Sequence, residues 1–529
     1  MKVLICTFGS TAHYACRIFH ALLRDITDTK LFFFNGRWNK DTESFIIDYL
    51  SKESPDLIAV SLLTLELGLC RKLVDTIRRF RSPEETKIIF GGPYAFLDAE
   101  SCFEMADFVC TGEGEYTLYK LCERFIDAKK WKGVVLKDVP NLSYRHNNVT
   151  YKSDIQDYYY SRQFIDDLPF PSYGEDGIHI YNGIEWNGDL LLQNDIYTLF
   201  ASRGCPNGCS YCINAIHKVR KVTLRSPAKI IEELCIIKKK LPNLKRIFFI
   251  DEIFCWQREW AMEFMQLYKE KIALPFECES FPGRHSEDVI KILANTGLRK
   301  VQIGVQSCSE RILNDIFTRP QKIQDVINDN KTYLKYGVLP TYDFIVDNPF
   351  ETPEDLLKTI EVVHLLKRPN FFRIYSLFFF PFHPLTLRAE REGLYDKKDW
   401  SSDINKGIFD KITTDHAGDQ HCKRKWYTNP LKAITGGDKK AALNWLLVCY
   451  GNMNIPKKMV DIAFDGYKRG KLFWVLMLAY YYKLIGLFYR LGKTGIIVVV
   501  AYRRHGLLKT AKRIMEKLSK SEYMLGYYG

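Results

Sequence analysis

The sequence predicts an α/β protein made of two successive parallel strand–helix assemblies and closed by a mainly helical region. Three observations predict it. From residue 2 to about 125, short apolar strands alternate with helical patterns, which marks a doubly wound, flavodoxin-like sheet. From about 197 to 380 a second strand–helix repeat runs through six units, as in a partial (β/α)6 barrel. Beyond residue 400 the repeat stops and the remaining pattern is helical. The expected division is a first domain over 1–130, a connector over 131–190, a second domain over 191–400 and a basic helical region over 401–529.

In the first assembly, residues 2–8 (K-V-L-I-C-T-F) read as a buried strand and Tyr14–Leu23 as a helix. Strands follow at Lys30–Phe34, Asp56–Ser61, Lys87–Phe90 and Ala106–Cys110, with helices running to about Arg81 and about Phe125. Ligands of such sheets sit at the carboxyl ends of the strands. Those ends carry Thr7–Thr11, Ser61-Leu62-Leu63, Gly91-Gly92 and Gly112-Glu113-Gly114-Glu115. Small residues there let a large flat ligand approach the backbone, although each turn taken alone reads equally well as an ordinary tight turn. In the connector, Asn141–Tyr151 is expected to form a small hairpin. The prolines of Asp167–Tyr173 mark an extended crossing.

The second assembly opens with an extended apolar run, Tyr197–Phe200, that ends in a Gly-Cys-Pro turn. Cys205, Cys209 and Cys212 follow with the spacing C-x3-C-x2-C. Three thiolates on one tight loop can hold three corners of a cuboidal iron–sulfur cluster and leave one iron without a protein ligand. A zinc site would normally pair two knuckles to reach four ligands, and no second knuckle is present. Three unrelated buried cysteines are the other alternative. The loop resembles the signature of the radical S-adenosylmethionine (SAM) enzymes. The resemblance implies that the three cysteines hold a 4Fe–4S cluster, that SAM chelates the open iron, and that one electron cleaves SAM to a 5′-deoxyadenosyl radical. Tyr211 matches the aromatic residue the family often places before the last cysteine.

The set S-L-L, I-I-F-G-G-P and A-D-F-V-C-T-G-E-G-E resembles the cobalamin-binding domain that precedes many radical SAM domains. That resemblance implies a cobalamin site lined by Ser61, Leu62, Gly91, Gly92, Gly112 and Glu113. Domains that ligate cobalt from below carry D-x-H-x-x-G after the first strand. Here residues 11–16 read T-A-H-Y-A-C, which keeps His13 but lacks the aspartate and the glycine. A ligating imidazole usually needs an orienting partner, so His13 as cobalt ligand and His13 as a helix-start residue both stay open. Most cobalamin-dependent radical SAM proteins lack the lower histidine, so this departure from the motif does not argue against cobalamin.

Within the second repeat, Pro227–Lys240 reads as a helix and Arg246–Ile250 as a strand ending in Asp251-Glu252. The resemblance places these two carboxylates at the amino group of SAM, although the common G-G-E is absent; helix capping is the plain alternative. Pro275–Glu279 followed by Arg284 resembles the third strand and an arginine that contacts SAM. K-V-Q-I-G-V-Q-S at Lys300–Ser307 resembles the fourth strand, with Gln306 in place of the usual glutamate. Gln306 and Ser307 keep the capacity to hydrogen-bond a ribose or carboxylate. A helix is expected at Glu310–Phe317, a fifth strand at Thr341–Val346 and a sixth at Phe372–Phe380. Asp347–Thr352 resembles the family's G-x-P-x-E-T turn.

Of the 529 residues, 76 are Lys or Arg and 63 Asp or Glu, a net charge of +13. From His421 onward there are 21 basic against 5 acidic residues, so the positive charge belongs to the C-terminal region alone. Lys471–Tyr489 is apolar apart from Lys483, and Gly495–Tyr502 is a second apolar run. A helical cap over the barrel, a monotopic membrane-surface helix pair and an anionic-ligand site are the readings. No zinc finger, RNA-recognition signature or P-loop is present, which ranks nucleic acid last. The first residues read as a strand and not as a signal peptide. Fifteen irregularly spread cysteines do not form a secreted disulfide framework. A reducing, cytoplasmic setting is expected, with membrane association tied to the C-terminal region.

Taken together, the resemblances imply an enzyme that uses a 4Fe–4S cluster, SAM and cobalamin, with an external electron donor of flavodoxin or ferredoxin type. They imply methyl transfer through methylcobalamin to an unactivated centre of a small or hydrophobic, lipid-like substrate. A non-methylating cyclisation, rearrangement or oxidation is the alternative enzyme, and a non-catalytic cobalamin or redox sensor is the alternative of another class.

Overall fold

The computed structural model describes residues 1–396 except 9–12, 35–37, 147–148, 154–160, 176, 182–185, 190–193, 217–219 and 256. It also describes 434–478 except 435–436, 454, 472–473 and 476. The chain forms two compact units. The first comprises Met1–Glu279, Lys291–Leu298 and the described residues from Phe379 onward; the second comprises Ser280–Ile290, Arg299–Phe378 and the described residues from Ile434 onward.

The first unit opens with β1 (Lys2–Phe8), α1 (Tyr14–Leu23), β2 (Asp28–Phe34), α2 (Lys40–Glu53), β3 (Leu57–Ser61), α3 (Leu67–Phe80), β4 (Lys87–Gly91), α4 (Pro93–Leu97), α5 (Ala99–Cys102), β5 (Phe108–Cys110) and α6 (Gly114–Ala128). β1 is buried from Val3 to Phe8 because both faces are covered. Leu4, Cys6 and Phe8 pack with Ile46, Leu50 and Leu73 of α2 and α3, whereas Val3 and Ile5 pack with Cys16 and Leu121 of α1 and α6. That two-residue alternation produces the doubly wound arrangement. α2 had no counterpart among the sequence expectations. Only Thr42, Ile46 and Leu50 of it are buried, a stripe too narrow to stand out, and its start is fixed by Asn39, whose side chain accepts the Thr42 N–H at 2.9 Å.

The stretch expected to connect two domains instead supplies both edges of the first sheet. β6 (Leu142–His146) and β7 (Val149–Lys152) form the expected hairpin and add antiparallel to β5. After α7 (Arg162–Asp167), β8 (Ile178–Tyr181) adds parallel to β2, and β9 (Trp186–Asn187) pairs antiparallel with β8. The sheet order is β7-β6-β5-β4-β3-β1-β2-β8-β9. Sequence spacing marks the hairpin but not which edge a distant strand joins.

The second repeat begins in the same unit with β10 (Ile196–Leu199). A short antiparallel pair follows, β11 (Ser202–Arg203) with β12 (Thr223–Leu224), and then α8 (Pro227–Lys240), β13 (Arg246–Phe249), α9 (Arg258–Lys271) and β14 (Phe276–Ser280). β10, β13 and β14 are parallel neighbours. After α10 (Glu287–Thr296) come β15 (Leu298–Gln306), α11 (Ile323–Lys335), β16 (Leu339–Val346), α12 (Pro353–Leu365) and β17 (Phe371–Ser376). β15, β16 and β17 are again parallel.

Two expectations are corrected in the second unit. The helix expected over Glu310–Phe317 is largely a π-helical turn, Ile312–Ile316, in which the Phe317 N–H reaches the Ile312 carbonyl at 2.8 Å. The sixth strand stops at Ser376, not Phe380, because its neighbour β16 ends at Val346, whose carbonyl takes the Leu377 N–H at 2.8 Å. α13 (Pro384–Arg391) belongs to the first unit, and α14 (Lys439–Gly451) and α15 (Lys457–Lys468) to the second. Most of the apolar run Lys471–Tyr489, and all of Gly495–Tyr502, lie outside the described residues. Among the described residues no helix is long and apolar enough to cross a membrane.

One buried polar knot joins the two assemblies of the first unit. Glu233 of α8 accepts from Tyr14 of α1 at 2.9 and 3.0 Å, from Tyr197 of β10 at 2.6 Å and from Arg225 at 2.6 Å. The Glu233 side chain is completely buried. Removing one partner of such a pair strands the other charge, at a cost of about 3–5 kcal/mol. Glu233→Ala is therefore expected to lower the thermal unfolding midpoint clearly. Glu232→Ala, which only breaks an exposed pair with Lys229, shifts stability by less than about 0.5 kcal/mol. Equal shifts in a parallel melt would refute the role of the knot.

Candidate active site

The cysteine loop is held at three points. Asp251, just past β13, is buried and turns back toward the loop. Its carboxylate accepts the Ala201 N–H at 3.0 Å and the Ser202 hydroxyl. Burial pushes this acid up to about 6, opposed by those hydrogen bonds. Gly204 takes a positive φ of 94°, which turns the chain immediately before Cys205. On the far side the Leu385 N–H of α13 bonds the Ser210 carbonyl at 3.0 Å, and Arg220 reaches the carbonyls of Asn214 and Ala215. The Cys212 N–H bonds the Cys209 carbonyl at 2.9 Å.

Cys209 is buried, and Cys205 and Cys212 are half-buried. Burial, followed by the charge of Glu252, pushes the Cys212 thiol up to about 12, so uptake of iron must displace its proton. Among the described residues no three His, Cys, Asp or Glu side chains gather as they would around a single ion. A cuboidal cluster takes each thiolate on a different iron and needs no such convergence; the donor set fits it better than it fits a zinc knuckle. Tyr211, between Cys209 and Cys212, is half-buried and Glu252 is exposed. Of the expected acidic pair, Asp251 is committed to the start of the loop and Glu252 stands near Cys212.

At the carboxyl ends of the first sheet, Gly92 has a φ of 88°, and a Cβ there would stand 3.0 Å from the Leu62 nitrogen and 3.1 Å from its carbonyl oxygen. His13 Nε2 lies 3.5 Å from Ser61 Oγ, and His13 Nδ1 is buried without a hydrogen-bond partner among the described residues. Burial lowers this imidazole to about 4. Close-packed glycine turns and an orphaned polar atom fit a large ligand that supplies its own hydrogen bonds. Two of the expected residues are tightly packed. The Leu62 side chain is wholly buried, and the neighbouring Leu63, 41% exposed, is the apolar surface at this turn. A Cβ at Gly112 would collide with the Asn141 side chain at 2.6 Å, so this glycine serves packing.

Glu113 faces the cysteine loop. Arg203, two residues before Cys205, donates to Glu113 and, at 2.5 Å, to Glu115. The sequence displays G-E-G-E and R-G-C as separate motifs; only the folded chain shows that they meet.

In the second unit, Gln306 has a φ of 68° and is half-buried. Ser307 is fully buried and spent on the turn: its hydroxyl accepts the Ser309 N–H at 3.2 Å and lies 3.4 Å from Thr359 Oγ1. The Arg284 guanidinium sits 5.3 Å from the Phe281 ring centre. Sequence reasoning missed Arg319 and Asp343. Arg319 is buried, donates to the Gly304 carbonyl, and lies 4.1 Å over the Phe281 ring. Asp343 Oδ1 is buried without a hydrogen-bond partner among the described residues. Polar Thr341 and Asp343 alternating with Tyr342 and Phe344 were the available signal, but alternation does not say what each face meets.

Residues 4–121 match the B12 binding domain family, and residues 199–363 match the Radical SAM superfamily. The chain belongs to the cobalamin-binding radical SAM enzymes. A protein of Pyrococcus horikoshii named as the uncharacterized methyltransferase PH0819 is 26% identical over 355 residues, 64% of this chain and 70% of its own length. The structure of the radical SAM methyltransferase TsrM from Kitasatospora setae, with tryptophan substrate and a SAM analogue bound, superimposes with a TM-score of 0.61 at 15% identity. It covers 74% of this chain and 76% of that one. The cobalamin-dependent radical SAM enzyme OxsB, with aqua-cobalamin and SAM bound, superimposes with a TM-score of 0.65 at 15% identity over 100% of this chain and 84% of that one. As a radical SAM enzyme with a B12 domain, the protein uses a 4Fe–4S cluster, SAM and cobalamin.

For this radical SAM enzyme, Arg203 is the residue to test. The Glu115 side chain is 3% exposed and that of Glu113 21% exposed. Arg203→Ala strands Glu115 and is expected to cost about 3 kcal/mol and to reduce the iron incorporated on anaerobic reconstitution, whereas Glu113→Gln has a smaller effect on both. Wild-type iron content and unfolding midpoint in Arg203→Ala would dismiss the clasp.

Proposed function

We propose that this radical SAM enzyme transfers a methyl group, by way of cobalamin, to an unactivated centre of a small or hydrophobic metabolite. The observation that carries the reading is the Arg203 clasp. It ties the turn after β5, at the ligand-bearing end of the first sheet, to the strand that leads into the cysteine loop. The methyltransferase names of PH0819 and TsrM support the same direction. When bound, the cluster supplies the electron that cleaves SAM, and cobalamin carries the methyl group.

The chain's own tasks are holding and orienting. Cys205, Cys209 and Cys212 hold the cluster, with Tyr211 and Glu252 beside it. Asp251 and Ser202 fix the strand before the loop, and Arg203 fixes the loop to Glu113 and Glu115. Gln306, Arg319, Asp343 and Arg284 receive polar groups of SAM. Ser61, Gly91, Gly92 and the Leu62–Leu63 backbone receive cobalamin. A donor of flavodoxin or ferredoxin type delivers the electron.

Anaerobically reconstituted enzyme given methyl-labelled SAM, a reductant and a metabolite extract is expected to yield 5′-deoxyadenosine and one labelled product. 5′-Deoxyadenosine without transferred label would replace methylation by a rearrangement or oxidation, and absence of 5′-deoxyadenosine would favour a sensor. Cys205→Ala is expected to bring bound iron and acid-labile sulfide to background while cobalamin binding persists. Retention of the cluster would overturn the ligand assignment.

A further inference from the structure

In the second unit, β15, β16 and β17 pair in register, with Gln302 opposite Thr341, Gly304 opposite Asp343, and Asp343 opposite Arg373. Paired residues on neighbouring strands share a face. One face is apolar: Val301, Ile303, Val305, Tyr342, Phe344 and Phe372 are buried. The other carries Gln302, Thr341, Asp343 and Arg373, and is polar across three strands; the register shifts between Gly304 and Gln306.

A hydrogen-bonded chain runs along that polar face. Gln302 Nε2 donates to Asp343 Oδ2 at 2.7 Å, and Gln302 Oε1 accepts from Arg373 Nη1. An amide has a donor at one end and an acceptor at the other. Flipping Gln302 would set its N–H groups against the guanidinium and its oxygen against the carboxylate, so its two neighbours fix one orientation. Asp343 Oδ2 is thereby occupied, and Oδ1 is left buried and unpartnered. Above Gly304, opposite Asp343, lie the Gln306 amide and the Arg319 guanidinium: a Cβ on this glycine would be 2.8 Å from the first and 3.3 Å from the second.

We infer that Gln302 and Arg373 are positioning residues for Asp343, holding its carboxylate so that Oδ1 alone is presented to a hydroxyl or ammonium group of SAM. The inference rests on the reading of Asp343 as a SAM contact. Burial raises the Asp343 pKa to about 6, while the Gln302 hydrogen bond and the charges of Arg373, Lys300 and Arg319 oppose that rise. Loss of Gln302 or Arg373 therefore moves the acid upward, so the charged form is lost first at the acidic end.

The test is the affinity of anaerobically reconstituted holoenzyme for radiolabelled SAM, measured by equilibrium dialysis at about pH 6.5 and about pH 8.5. Asp343→Asn is expected to weaken binding at both pH values. If it binds SAM as the wild type does, the SAM reading of Asp343 falls and takes the inference with it. Gln302→Leu and Arg373→Met are expected to weaken SAM binding about tenfold at the lower pH and far less at the higher, with Arg373→Lys restoring most of the loss. If Asp343→Asn weakens binding but these variants lose affinity equally at both pH values, or not at all, Asp343 contacts SAM without the relay and the inference is overturned.

Discussion

Arg203 spans two carboxylates from a position two residues short of Cys205. A guanidinium has a rigid fork of donors, so binding Glu113 and Glu115 together fixes the direction from which the chain enters the loop. Glu115 is almost completely buried, which makes the pairing obligatory: without Arg203 its charge has no water to return to. The turn after β5 and the cysteine loop are thus fixed relative to each other by one side chain. The Glu233 knot does the same one layer deeper, where Tyr14, Tyr197 and Arg225 converge on a single carboxylate. Together they make the first sheet and the start of the second repeat a single compact unit.

That arrangement suits chemistry in which two cofactors must act in sequence. A methyl group or a radical has to be handed over a short, water-free distance, so the loops that hold the two cofactors need a fixed separation. Asp251 contributes by spending its carboxylate on Ala201 and Ser202. Those contacts support the backbone that leads into the loop. In the second unit the Ser307 hydroxyl accepts the Ser309 N–H and lies beside Thr359 Oγ1. Residues beside a strand end support the backbone as often as they meet a ligand, because buried turns leave backbone N–H groups that need acceptors.

Elements with strong local signals were legible. The buried run of β1, the proline-started α8 and the three-cysteine loop each carry their own pattern of spacing. α2 was not, since its three buried residues are mixed with apolar side chains that are only partly buried, which blurs the periodicity. The π-turn at Ile312–Ile316 was not, since its widened bonding pattern has no simple residue code; its effect is to bring Arg319 back over Gly304. Asp343 was passed over because polar residues alternating with apolar ones look outward-facing until the strand's register is known.

The sequence by itself determined the family and its cofactors: cysteine spacing, glycine turns and strand periodicity are local properties that survive without a fold. Tertiary structure alone decided which partner each of these carboxylates meets. Glu113 and Asp251 follow strand ends and Asp343 lies within β16, yet all three are the same functional group. What separates them is the partner that folding brings to each: Arg203 for the first, the Ala201–Ser202 backbone and hydroxyl for the second, and for the third a glutamine that leaves one oxygen open. A carboxylate's role is set by what desolvates and what neutralises it, and both come from residues far away in the chain.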